Sequence, residues 1–248
     1  VRLICLPYAG GGAAAWHPWL PLLPNWIELA MVQLPGREGR LREPPLTRME
    51  HAIDALVPAL HTLTDLPYAL FGHSMGALMA FALARALRAD GAPAPALLVV
   101  SGRRAPQLID PESPIHTLAD GPFVGALIRR YNAIPRPLLE DVELLRLFLP
   151  AVRADLEMLE TYTYQPAPPL NSPILALGGR DDSRATPDDL AAWQSQTRSA
   201  FRTQHFPGGH FYINPERAAL VQTIIATLAE AMPQNRTEQD LATERSAA

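Results

Sequence analysis

The chain has 248 residues, 48% of them hydrophobic and 19% charged, enough for one α/β domain with a sizeable core and too apolar for wholesale disorder. A formal net charge of −4, with basic residues never denser than the pairs Arg103-Arg104 and Arg129-Arg130, excludes a nucleic-acid-binding face. No apolar stretch approaches the roughly 18 residues that span a bilayer, so no membrane partner is expected and the cytoplasm is the expected compartment.

Apolar runs alternate with helical patterns, which predicts a mostly parallel sheet with crossover helices. The first run, 3–6, is ended by Pro7 and the glycines Gly10 to Gly12. It contains Cys5, the single cysteine, which has no disulfide partner and reads as a small buried hydrophobe. The chain opens inside this run, so residues before Val1 are expected in the natural protein. The second run, 27–32, is stopped by Pro35-Gly36, and the third, 68–71, by Gly72. A proline-free, alanine-rich helix is predicted over 75–88, ending near Gly91. Runs at 97–100, 174–177 and, more weakly, 201–206 complete the sheet. The central runs do not alternate with polar residues because both faces of the sheet are covered. A last helix is predicted over 215–232, with Pro215 in its first turn and Pro233 as its stop. Residues 233–248 turn polar and are expected to be a flexible tail.

The stretch 103–165 breaks this rhythm. It offers no strand, and instead two helical stripes: Leu138, Leu139, Val142, Leu145 and Phe148 before Pro150, then Val152, Leu156, Leu159 and Tyr162. About sixty residues exceed what a crossover needs, so a helical lid inserted into a single domain over 1–232 is expected.

Gly72-His73-Ser74-Met75-Gly76 matches the G-x-S-x-G nucleophile elbow and lies between a strand and a helix, the context the motif requires. That combination predicts an α/β-hydrolase fold, with Ser74 held on a sharp turn at a helix N-terminus, where negative charge is favoured. A serine at neutral pH needs a base, and the base an orienting acid, in the chain order Ser, Asp or Glu, His. His210 follows the last predicted strand and the turn Pro207-Gly208-Gly209. His205 lies inside that strand and reads as structural, His73 as packing or hydrogen-bonding within the elbow, and His17, His51, His61 and His116 have no partner pattern. Asp181, three residues after Gly178, is the expected acid, with the adjoining Asp182 as the alternative if the loop shifts by one residue. The oxyanion needs two donors. The Met75 N–H is one, and the glycine-rich loop after the first strand supplies the other, through Ala9 or its neighbour Gly10. That loop lacks G-x-G-x-x-G and any lysine, and there is no H-E-x-x-H or C-x-x-C, so neither nucleotide, cofactor nor metal is expected.

Six segments together resemble the type II thioesterases of polyketide and nonribosomal peptide assembly lines. They are Leu6-Pro7-Tyr8-Ala9-Gly10-Gly11, Gln33-Leu34-Pro35-Gly36-Arg37, Gly72-His73-Ser74-Met75-Gly76-Ala77, Arg153-Ala154-Asp155, Gly178-Gly179-Arg180-Asp181-Asp182 and Gly208-Gly209-His210-Phe211. The resemblance runs from the first residues to about Met232. It implies a Ser74–His210–Asp181 triad with Met75 and Ala9 as the oxyanion hole. It also implies hydrolysis of acyl groups from the phosphopantetheine arm of acyl or peptidyl carrier proteins, clearing stalled or mis-primed units. No chemical step requires Arg37 or Arg153 and Asp155, so loop bracing and lid ion pairing are their expected roles. Because carriers are usually acidic, Arg129, Arg130 or Arg136 is expected to dock them. A monomer is the default. An esterase or acyltransferase with the same triad, or a hydrolase-fold binding module, is the alternative.

Overall fold

The computed structural model describes residues 1–131 and 140–232. Six strands form one all-parallel sheet: β1 (Arg2–Leu6), β2 (Glu28–Met31), β3 (Tyr68–His73), β4 (Leu97–Ser101), β5 (Ile174–Gly179) and β6 (Phe201–Phe206). The helices are α1 (Met49–His61), α2 (Met75–Ala89), α3 (Asp120–Tyr131), α4 (Val142–Glu160), α5 (Pro187–Ala191) and α6 (Arg217–Ala231). The spatial order is β2-β1-β3-β4-β5-β6. The chain therefore steps one way from β1 to β2 and the other way from β3 onward. Right-handed crossovers demand that these two directions use opposite faces.

That is what the core shows. On one face Ile4, Leu6, Leu70, Leu98, Val100, Ile174 and Ala176 pack under α1, α2 and α4. On the other, Leu3, Cys5, Phe71, Val99 and Leu177 meet Trp16 and Trp19, from a 3-10 stretch between β1 and β2, and Leu220, Ile224 and Leu228 of α6. Alternate residues of each central strand thus feed two separate apolar layers, which explains their uninterrupted hydrophobic runs.

All six predicted strands are present, β6 over the predicted residues and the others to within a residue or two. α1 occupies a segment where no element was expected. It carries Pro58 near its C-terminal end and buries Met49, Ala52, Ile53 and Leu60. Between β4 and β5, among the described residues, lie helices and loops but no strand, as expected. From Val142 to Leu159 the two stripes on either side of Pro150 belong to one helix: α4 runs through Pro150 with Asp141 capping its start, and Tyr162 lies just beyond its end. A proline removes one helical hydrogen bond, and the apolar face that buries Leu149, Val152, Leu156 and Leu159 outweighs that loss. Leu138, Leu139 and Arg136, and the expected tail at 233–248, lie outside the described residues. No described helix is long and apolar enough to cross a membrane.

Candidate active site

In open α/β sheets, groups collect beyond the carboxyl ends of the strands where the order reverses, here between β1 and β3. Ser74 follows β3 directly, at φ +54° and ψ −115°. An L-residue held at positive φ costs on the order of 1–3 kcal/mol, which surrounding structure must offset. The flanking glycines show how. A Cβ on Gly72 would lie 1.9 Å from the Gly76 carbonyl oxygen, and one on Gly76 would lie 2.7 Å from the Leu6 oxygen and 2.8 Å from that of Pro7. Only with both side chains absent can α2 start so close to β1. The Ser74 N–H is anchored on the Ser101 carbonyl oxygen at 2.7 Å.

The elbow delivers the Ser74 hydroxyl to His210, with Nε2 3.0 Å from Oγ. On its other side His210 Nδ1 lies 2.9 Å from Oδ2 of Asp182. The three residues are only 5–7% exposed, so the line of hydrogen bonds runs through a water-poor interior. The remaining Asp182 oxygen, Oδ1, accepts the Arg184 N–H at 2.9 Å.

This corrects the expected acid. Asp181 is exposed, its N–H donates to the Gly208 carbonyl oxygen at 3.0 Å, and its side chain is not the one that meets His210. The reason lies in the strand end. β5 stays paired through Gly179, opposite Phe206, so the residue three beyond the strand is Asp182 rather than Asp181. The loops carrying acid and base are pressed together: a Cβ on Gly179 would fall 2.4 Å from the carbonyl oxygens of both Gly208 and Gly209.

Beneath His210 lies a buried polar chain. The His73 ring sits 4.9 Å from the His210 ring, its Nδ1 is 2.9 Å from Ser101 Oγ, and that hydroxyl is 2.6 Å from the Tyr212 hydroxyl. Burial holds His73 neutral, well below the ordinary imidazole range, and the neighbouring His210 pushes it the same way. Burial likewise raises the Tyr212 phenol, against the pull of its bond to Ser101. The structural role expected for His73 therefore has defined partners. Tyr131, at the end of α3, closes the other side of His210 at 5.3 Å between rings. No sequence pattern had pointed to it.

The Met75 N–H opens α2 and the Ala9 N–H follows β1; among the described residues neither meets a protein acceptor. By contrast, Gly10 N–H donates to Asp155 Oδ2 at 2.7 Å and Gly11 N–H to the Tyr8 carbonyl oxygen at 2.8 Å. Asp155 is wholly buried on α4 and also binds Arg37, with Oδ1–Nη2 2.7 Å and Oδ2–Nη1 2.5 Å. Burial raises its carboxyl, while Arg37 and Gly10 hold it down.

One turn beyond the elbow, Leu78 lines a cavity of about 450 Å3 bounded also by Arg103, Tyr131, Leu159, Tyr162 and Arg184. Its size suits a small organic group. Of the arginines expected to dock a carrier, Arg129 is exposed on α3. Arg130 is instead committed to Glu112 at 2.5 Å and to the Ser113 carbonyl oxygen at 2.8 Å. Among the described residues no cluster of three or more His, Cys, Asp or Glu side chains is arranged to hold a metal ion.

A family model described as Thioesterase domain matches residues 1–228. The gramicidin S biosynthesis protein GrsT of Aneurinibacillus migulanus is 39% identical over 222 residues, 90% of this chain and 86% of its own. Among solved structures, RedJ, a thioesterase from the prodiginine biosynthetic pathway in Streptomyces coelicolor, is 41% identical with a TM-score of 0.86, covering 92% of this chain and 90% of that one. The type II thioesterase BorB from the borrelidin biosynthetic cluster is 40% identical with a TM-score of 0.84, covering 92% of each chain.

Proposed function

We propose, from the premise that this chain belongs to the thioesterase domain family, that it hydrolyses acyl groups from the phosphopantetheine thioester of carrier proteins, as an editing enzyme of a biosynthetic assembly line. The observation that carries the reading is the line Ser74–His210–Asp182, with 3.0 and 2.9 Å links, at an elbow that places Ser74 at the start of α2. Ser74 is the nucleophile and His210 the general base. Asp182, in the role the sequence first suggested for Asp181, fixes the tautomer that leaves Nε2 free to accept.

The Ser74 oxygen attacks the thioester carbonyl carbon while His210 takes its proton, and the carbonyl π-electrons move onto oxygen. The N–H groups of Met75 and Ala9 receive that oxyanion. The tetrahedral intermediate collapses by breaking the C–S bond, leaving acyl-Ser74. A thiol is far more acidic than an alcohol, with a pKa of about 8.5 for cysteine, so the thiolate leaves readily and takes up the proton held by His210, which returns to its neutral form. Water then attacks the acyl-enzyme with His210 again as base, which releases the carboxylic acid and regenerates Ser74. Every step uses this chain's own residues, with no cofactor or metal assigned. The helices α3 and α4 act as the lid, and the cavity beside Leu78 and Tyr131 takes the acyl group. Arg129 and Arg136 remain as the docking arginines, acting on a carrier bound by a monomer in the cytoplasm.

The test is release of a short acyl group from an acylated carrier protein by the wild type and by Ser74→Ala. Release by the wild type alone supports the proposal. Hydrolysis of oxygen esters but not of the carrier thioester would make the chain an esterase with the same triad. Release by neither protein from any ester, with both folded, would leave a binding module.

A further inference from the structure

The buried ion pair between Arg37 and Asp155 takes no part in the steps above, yet it ends on the loop that follows β1. Asp155 Oδ2 accepts the Gly10 N–H at 2.7 Å, and Arg37 Nη1 donates to the Gly11 carbonyl oxygen at 3.1 Å. One residue earlier lies Ala9, the proposed oxyanion donor. The loop's other bond, from Gly11 N–H to the Tyr8 carbonyl oxygen, closes a turn around Ala9. Gly10 has φ +78°, and a Cβ there would lie 2.8 Å from Val152 and 2.9 Å from the Phe148 ring, so α4 presses directly on this turn.

Burying two charges yields little net stability compared with an apolar pair of similar volume. What the pair provides is direction. A carboxylate without exposure accepts only from fixed donors, and a guanidinium bonded to it in two places cannot rotate away. With Gly10 N–H aimed at Asp155, the Ala9–Gly10 peptide plane is set. Gly11, whose carbonyl Arg37 holds, donates its N–H to the Tyr8 carbonyl oxygen, so the Tyr8–Ala9 plane that carries the Ala9 N–H is set as well. The same bond removes Gly10 N–H from the competition for the oxyanion, a choice the sequence left open.

We propose that Arg37 and Asp155 are positioning residues for the oxyanion hole: together they orient the Ala9–Gly10–Gly11 backbone so that Ala9 N–H points at the developing negative charge. This rests on the thioesterase reading of Ser74, His210 and Asp182. It differs from simple bracing in that a fold which survives loss of the pair must still lose transition-state stabilisation.

The experiment uses the full chain with Asp155→Asn and with the double substitution Arg37→Met/Asp155→Leu, the second designed to keep the volume filled without leaving a lone buried charge. Steady-state hydrolysis of an acyl-pantetheine thioester is measured alongside inhibition by a matching acyl trifluoromethyl ketone, which forms an oxyanion on Ser74. A thermal melt confirms that each variant is folded. Losing one oxyanion donor lowers kcat by about 100- to 1,000-fold. The double variant is expected to show a fall of that order in kcat, KM within about threefold of wild type, and ketone affinity reduced by a similar factor. A folded double variant with kcat within threefold of wild type overturns the proposal. So does a loss of kcat with ketone affinity intact, because the defect then lies outside the oxyanion hole. An unfolded double variant shifts the decision to Asp155→Asn, read by the same two quantities, and failure of both variants to fold makes the pair structural and overturns the proposal too. Wild-type inactivity on every ester overturns the thioesterase reading instead, and is recognised by its appearing without any substitution.

Discussion

Replacing Asp182 by Asn tests the orientation of His210 with almost no change in shape. Asp182 accepts from two sides, His210 Nδ1 on Oδ2 and Arg184 N–H on Oδ1, each at 2.9 Å. An asparagine has only one acceptor oxygen. Keeping it on the Arg184 N–H turns the NH2 group toward Nδ1, so Nδ1 must become the acceptor and Nε2 carries the proton. A protonated Nε2, 3.0 Å from Ser74 Oγ, can no longer take the hydroxyl proton. The flipped amide restores the tautomer, but it sets NH2 against Arg184 N–H and leaves that buried donor unsatisfied at a cost of about 1–3 kcal/mol. The wrong tautomer therefore dominates. The expected loss in kcat/KM is about 1,000- to 10,000-fold, or about 4–5.5 kcal/mol of transition-state stabilisation. The assay is release of free thiol from an acyl-pantetheine thioester, with Asp181→Asn alongside. Asp181 is exposed and bonds through its backbone, so its substitution should change kcat/KM by less than about threefold. An Asp182→Asn enzyme within tenfold of wild type, or equal losses in the two variants, would refute the assignment.

Gly76→Ala introduces a Cβ at 2.7 Å from one backbone oxygen and 2.8 Å from another, and neither can swing aside. It should cost about 1–3 kcal/mol, seen as a melting point lowered by several degrees, and at least tenfold in kcat/KM as α2 moves off β1. An unchanged melt and rate would show that the elbow has slack. His73, neutral in the fold by burial, regains an ordinary imidazole pKa near about 6.5 on unfolding. Its contribution is complete above that pH and is lost, by about 1.4 kcal/mol per unit, as pH falls toward the depressed folded value. Urea unfolding between pH 7 and 5.5 should thus fall more steeply for the wild type than for His73→Gln, and parallel slopes would contradict a neutral His73. Finally, Leu78→Trp fills part of the cavity beside the elbow, so kcat/KM for long acyl groups should fall at least tenfold relative to acetyl. Equal effects on both would mean the acyl chain lies elsewhere.

The strands were legible because parallel strands covered on both faces read as bare apolar runs, and the elbow because its glycines are sterically compelled. α1 escaped notice because Pro58 interrupts an otherwise amphipathic pattern, although only one hydrogen bond is at stake near the helix end. Residues 13–22 gave no periodic signal. They form a 3-10 stretch with two prolines, held by Trp16 and Trp19 inserted into the core, and tertiary packing decides such a segment. The one-residue error at the acid came from ending β5 at the wrong glycine; pairing with β6 sets that end, and pairing is not written locally. Arg37 and Asp155 stood out only through resemblance. They are 118 positions apart, and nothing in the spacing says that they meet.

The segment between β4 and β5 looks like a replaceable cassette, since its two ends emerge from adjacent strands and the triad lies wholly outside it. Swapping such cassettes among relatives is an attractive route to retargeting acyl preference. Here the graft is not free-standing, because Asp155 travels with it and its salt partner stays behind on the host as Arg37. A donor cassette without an acidic residue at that point would arrive with the right contour and strand a buried guanidinium in the recipient. Compatibility therefore depends, before any consideration of acyl shape, on whether the carboxylates cross over with the graft: Asp155 for Arg37, and Asp110 and Glu112 for the host's buried Arg184.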